Sequence, residues 1–175
     1  MSILIIALPR TGSTELGTRL SVENKLKYEF EPFNPLEKLL KYESKNYKNA
    51  LIKTMVFHTP IFVDEVDRLK WLLNISKDFK KIILLSRKDL IAVTESWSFL
   101  LYETKNGFKS TYPYVWKKTP NYDEQFEFIQ NCQKELEYLS KELNIPITYY
   151  EDIYNPADTN RLRKGNREDF NKKLI

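Results

Sequence analysis

The run Ile3-Leu4-Ile5-Ile6 is apolar at every position, and Ile82-Ile83-Leu84-Leu85 repeats the pattern later in the chain. A strand with apolar side chains on both faces needs cover on both. That is the condition of an inner strand in a parallel sheet with helices on either side. Five runs read as strands: Ile3–Leu8, Leu26–Glu31, Leu51–Phe57, Lys81–Ser86 and Ile147–Tyr150. Helical patterns separate them at Thr14–Leu20, Pro35–Tyr42, Ile61–Ile75, Asp89–Tyr102 and Tyr122–Leu143. In the last, Phe126, Ile129, Cys132, Leu136 and Leu139 recur at three- to four-residue spacing. Strand and helix alternate, so the expectation is an α/β fold of three layers, α/β/α, around a parallel sheet of about five strands. With 175 residues and no linker-like stretch, residues 1–175 read as one domain.

Ligands in such folds bind beyond the carboxyl ends of the strands, in the loops that lead into helices. Glycine, used only four times, marks these places sparingly. Gly12 and Gly17 follow the first strand, Gly107 sits in a loop, and Gly165 lies in a basic end. Gly12, Gly17 and Gly165 therefore mark two candidate sites. The basic end, residues 161–175, holds six basic side chains against Glu168 and Asp169, while the rest of the chain is neutral. A neutral body with a basic end suggests a local anion site or an exposed tail.

After the first strand the chain reads Pro9-Arg10-Thr11-Gly12-Ser13-Thr14. A small, hydroxyl-rich loop opening a helix offers backbone N–H groups and the positive helix end to an anion. Against the nucleotide P-loop pattern, Gly12 and Thr14 fit, but Ala7 replaces the first glycine and Ser13 the lysine. The missing lysine disfavours magnesium-ATP chemistry. The plainer reading, a helix cap by Thr11 or Ser13, accounts for the hydroxyls but not for Arg10.

The loop resembles the 5′-phosphosulfate loop of sulfotransferases that use 3′-phosphoadenosine 5′-phosphosulfate (PAPS). Three more segments, in the same order as in that family, carry the resemblance. Ser86-Arg87-Lys88-Asp89 with Ser96 looks like the 3′-phosphate site, and Tyr149-Tyr150-Glu151-Asp152 like the segment whose tyrosine packs by the adenine. Arg163-Lys164-Gly165, then Asp169-Phe170, is similar to the segment that closes over the cofactor. The resemblance implies a P-loop nucleoside-triphosphatase-like topology and PAPS as donor. It implies donor-binding roles for Arg10, Thr11, Gly12, Ser13, Thr14, Arg87, Ser96, Tyr150, Arg163, Lys164 and Gly165. The chain departs from the family pattern at Glu15, where an adenine-stacking aromatic often stands, and at Glu168, which replaces a glycine. It is also short for the family, which reduces acceptor-binding insertions.

Sulfuryl transfer needs a base for the acceptor hydroxyl and cations for the leaving phosphate, and no metal in principle. Glu31, in Phe30-Glu31-Pro32-Phe33, resembles the Glu-Pro segment of carbohydrate sulfotransferases and is the favoured base. Phe30 and Phe33 against its carboxylate would raise its pKa. His58, in His58-Thr59-Pro60, is the rival, and Lys53 a lesser candidate for the bridging oxygen. Each has a plain structural alternative, an ion pair for Glu31 and a satisfied strand-end histidine for His58.

In residues 103–121, Phe108, Tyr112, Tyr114 and Trp116 stand among Lys105, Lys109, Lys117 and Lys118. This mixture suits a sugar or anionic acceptor, or simply a packed loop. One cysteine, Cys132, and one histidine leave no disulfide framework and no zinc ligand set, and favour a reducing, cytoplasmic setting. The apolar run from Ile3 to Leu8 is too short to span a bilayer. The expected function is thus transfer of a sulfuryl group from PAPS to a hydroxyl of a carbohydrate or other polar small molecule. The rivals are a P-loop phosphoryl transferase such as a small-molecule kinase, a basic nucleic-acid-binding module, and a donor-binding protein without activity.

Overall fold

The computed structural model describes residues 1–33, 47–58, 67–105 and 121–154. Five strands, β1 (Ile3–Ala7), β2 (Lys27–Phe30), β3 (Ala50–Met55), β4 (Lys81–Ser86) and β5 (Ile147–Tyr149), form one sheet in the order β2-β3-β1-β4-β5. Every pairing is parallel, with Ile3 opposite Leu51 on one side and Lys81 on the other. The helices are α1 (Ser13–Glu23), α2 (Arg68–Ser76), α3 (Leu90–Lys105), α4 (Tyr122–Leu143) and the short α5 (Tyr150–Ile153).

Strand β1 is central and wholly buried, as its unbroken apolar run requires. Leu4, Ile6 and Leu8 meet Leu72 and Ile75 of α2 and Cys132, Leu136 and Leu139 of α4. Ile3, Ile5 and Ala7 face the opposite way, toward Leu16 of α1. Each such side chain taken wholly out of water contributes about 1.5–3 kcal/mol before chain entropy is counted. The result is a three-layer α/β/α fold around an all-parallel sheet. The edge strands β2 and β5 have four and three residues, too short to invite pairing with another chain.

The long helix starts with Asp123 and Glu124 in its first turn, where carboxylates complement the helix dipole. It ends on Asn144 in the left-handed conformation, two residues before Pro146. Buried on α4, Cys132 has its thiol pushed up to about 12, chiefly by desolvation and further by Glu135, so it is no nucleophile at neutral pH.

Some boundaries differ from expectation: Tyr150 belongs to α5 rather than to the last strand, and β3 ends at Met55 rather than Phe57. The Ile61–Ile75 pattern is described as α2 from Arg68, and residues 61–66 lie outside the described residues. The Pro35–Tyr42 pattern lies outside the described residues. Among the described residues no helix is long and apolar enough to cross a membrane, and no cluster of metal-ligating side chains occurs.

Candidate functional site

The loop after β1 leaves the sheet at its carboxyl edge. Leu8 still donates its N–H to the Leu85 carbonyl at 3.0 Å, and the Thr11 hydroxyl folds back to donate to the Leu8 carbonyl at 2.8 Å. Arg10 and Gly12 have φ of 61° and 70°, while Pro9, Thr11 and Ser13 between and beside them keep negative φ. Alternation of φ sign along successive residues is a backbone pattern found in anion-binding concavities. Gly12 is the N-cap of α1, and no side chain caps that helix. The hydroxyls of Thr11 and Ser13 are therefore not cap ligands, contrary to the plainer sequence reading. The loop has the φ pattern of an anion cradle.

Gly12 is held to glycine twice over. A Cβ there would lie 2.7 Å from the Tyr150 ring, and the left-handed φ is itself unfavourable for other residues. Gly12→Ala is expected to destabilise the fold by at least about 1–2 kcal/mol. The check is chemical denaturation beside Ser13→Ala, for which no such loss is expected. Gly17 has a different reason: a Cβ would lie 2.6 Å from the Tyr28 hydroxyl, so the glycine lets Tyr28 lie across α1. It is a packing glycine rather than part of a ligand site.

Beside the cradle, β3 presents Lys53, which is only 1% exposed. Its ammonium pairs with Glu31 and lies 4.6 Å from the centre of the Phe30 ring. Glu31 is held in place by its own backbone, whose N–H donates to the Lys53 carbonyl at 2.9 Å. Its φ of 45° is left-handed. Arg10 and Glu31 thus both hold a backbone conformation that non-glycine residues rarely adopt, a cost that recurs at functional sites.

Burial pushes the Lys53 ammonium below its ordinary pKa against the opposing pull of Glu31, and Arg10 adds a smaller lowering. His58, buried in the turn after β3, is lowered to about 4, first by desolvation and then by Lys53, with Glu31 opposing. Arg10, Glu31, Lys53 and His58 therefore share one electrostatic neighbourhood at one end of the sheet. Phe33 packs edge-on against Trp71, and the Glu31 carboxylate faces the Lys53 ammonium.

Arg87 follows β4, the parallel neighbour of β1, so it emerges at the same sheet edge as Arg10. Its partner is Glu151 rather than Asp89, which instead accepts the Ala92 N–H at 2.9 Å. Arg87 Nε stands 3.6 Å from the Glu151 carboxylate, beyond hydrogen-bond length, and has no hydrogen-bond acceptor. Glu151 also accepts the Lys88 N–H at 3.0 Å.

Ser96 is tied to the other arginine, accepting from Arg10 Nε at 2.7 Å. The structure thus links Arg10 with Ser96 and Arg87 with Glu151, where the sequence pairs Arg87 with Ser96. Tyr150 is 7% exposed, its ring set against Gly12, Tyr154 and the Arg87 guanidinium. Glu151 is the participant that sequence reasoning passed over, although it stands in the quoted Tyr-Glu-Asp segment. Arg163, Lys164, Gly165 and residues 106–120 of the aromatic segment lie outside the described residues.

No family model matches the chain, and no curated protein matches it. Among solved structures it is similar to two de novo designed proteins of P-loop NTPase fold. One is 19% identical, covers 81% of this chain and 96% of its own, and has a TM-score of 0.29. The other is 21% identical, covers 80% and 96%, and has a TM-score of 0.27.

Proposed function

We propose that the chain is a sulfotransferase that moves a sulfuryl group from PAPS to a hydroxyl of a carbohydrate or other polar small molecule. One observation carries the reading. A lysine-free anion cradle bearing Arg10 opens beside a buried Lys53–Glu31 pair, and His58 and Arg87 stand at the same sheet edge. The residues fit an anionic nucleotide: Arg10 and Gly12 carry the alternating φ found in anion-binding loops, and Arg87 keeps an unmet Nε donor.

Arg10 and the loop amides would hold the phosphosulfate end, and Arg87 a second phosphate. When bound, PAPS supplies the sulfuryl group and its 5′-phosphate takes the electron pair of the broken S–O bond. Glu31 receives the proton of the acceptor hydroxyl as that oxygen bonds to sulfur. Lys53 and Arg10 stabilise the charge left on the departing phosphate.

Thermal unfolding tests the binding half of the proposal. At one hundred times its Kd, adenosine 3′,5′-bisphosphate without magnesium stabilises by about 2.7 kcal/mol, which raises Tm by roughly 5–10 °C. Stabilisation by magnesium-ATP alone would overturn the reading in favour of a phosphoryl transferase.

A further inference from the structure

Three N–H donors meet one carboxylate where β4 gives way to α3. Glu151 Oε2 accepts the Lys88 N–H at 3.0 Å. Its Oε1 is shared, 3.5 Å from the Asp89 nitrogen and 3.6 Å from Arg87 Nε. Asp89 does not compete for these donors, because its own carboxylate accepts the Ala92 N–H. A guanidinium beside two successive backbone amides is a receptor for an oxyanion.

Glu151 fills that receptor incompletely. A carboxylate has two oxygens for three donors, so one oxygen serves two of them at long range, and Arg87 Nε is left without a hydrogen bond. A phosphate monoester carries three acceptor oxygens and about −1.5 to −2 charge at neutral pH. It can give each donor an oxygen of its own.

No separate cavity is required, since the place in question is the one the carboxylate holds. Arg87 Nε is buried with that carboxylate beside it, while the Glu151 side chain is 31% exposed and can turn out into solvent. The backbone need not follow. Tyr150 stays packed against Gly12, and Asp152 stays paired with Lys88 Nζ.

We infer that Glu151 is an internal stand-in for the second phosphate of the nucleotide. It holds Arg87 and the amides of Lys88 and Asp89 in the empty protein, and it is displaced when that phosphate arrives. The inference rests on the sulfotransferase reading, which puts the second phosphate at Arg87. Every donor or product molecule must then displace the carboxylate before it can use these three donors. Glu151 thereby weakens nucleotide binding and eases release of the bisphosphate product.

The test compares the wild-type chain with Glu151→Gln, which keeps the side-chain volume and an acceptor oxygen but removes the charge. The Kd for adenosine 3′,5′-bisphosphate, measured by titration calorimetry, is expected to fall roughly three- to thirtyfold, the worth of charge-assisted hydrogen bonds discounted for partial exposure. Adenosine 5′-monophosphate lacks the second phosphate, and its Kd should change by less than about twofold, because solvent and salt screen the remaining effect of the charge. With Arg87→Gln in the background, Glu151→Gln brings no tightening. In the wild type itself, the amide resonances of Lys88 and Asp89 shift with saturating bisphosphate and stay in place with saturating monophosphate.

Bisphosphate binding that Glu151→Gln weakens or leaves unchanged overturns the inference alone, and Glu151 is then a positioning residue for Arg87. Equal tightening for both nucleotides also overturns it, as does tightening that survives Arg87→Gln. So does bisphosphate binding to the wild type that leaves the Lys88 and Asp89 amides unmoved. If the bisphosphate binds to neither protein, the sulfotransferase reading falls, and the inference with it.

Discussion

Glu31→Gln is expected to lower sulfuryl transfer by roughly 10²- to 10⁴-fold, the usual worth of a positioned general base, while the protein still binds adenosine 3′,5′-bisphosphate. The carboxylate sits against the Lys53 ammonium. Glutamine keeps a carbonyl oxygen for Lys53 and nearly the same volume, but it cannot take a proton. The stability loss should stay near 1–3 kcal/mol, because Lys53 keeps a hydrogen-bond acceptor but loses its counter-charge. Turnover measured as release of the bisphosphate product, with the nucleotide's thermal shift as the binding control, separates the two effects. If Glu31→Gln keeps its turnover and His58→Ala loses it, the base is His58. If neither variant slows the reaction while donor remains bound, both assignments fail.

Most of the sheet was legible because inner parallel strands announce themselves: a run such as Ile3-Leu4-Ile5-Ile6 has no other stable place in a chain this size. The end of β5 was not, because Tyr150 suits a strand by composition and a helix by its contact with Gly12. The site was legible as residue types rather than as partnerships. Arg10, Glu31, Lys53 and His58 can all be named from the sequence.

Their grouping, by contrast, depends on sheet register. Lys53 reaches Glu31 because Phe30 pairs with Lys53 across β2 and β3, and no local pattern encodes that register. The Arg10–Ser96 bond joins residues 86 positions apart, and nothing in the spacing of either segment announces it. Gly17 shows the reverse error. Scarcity made it look like a site residue, whereas the ring of Tyr28 explains it without any ligand.

The second large effect concerns acid stability, and His58 makes it measurable because it is the sole histidine. Its folded pKa is lowered to about 4 against an ordinary 6.5. Between those values the unfolded chain takes up a proton that the native state refuses. The contribution is therefore intact above pH 6.5 and is lost as pH falls toward 4, approaching about 3 kcal/mol in all and about 2 kcal/mol by pH 5. Carboxylates protonating on the same limb blur this in the wild type alone, so the quantity to compare is the difference in unfolding free energy between wild type and His58→Gln at pH 7 and pH 5. That difference should shift in favour of the variant by about 2 kcal/mol at pH 5. The imidazole resonances, observed directly, should titrate near 4, and titration at the ordinary value would show that His58 is not desolvated. Binding of the bisphosphate offers a sharper form of the same test. A polyanion on Arg10 adds negative potential beside the imidazole and favours its charged form, so the pKa should rise from its low value when the nucleotide is bound. A His58 titration unchanged by saturating nucleotide would place the bound phosphates away from the Arg10 cradle, and the proposed site would not survive that result.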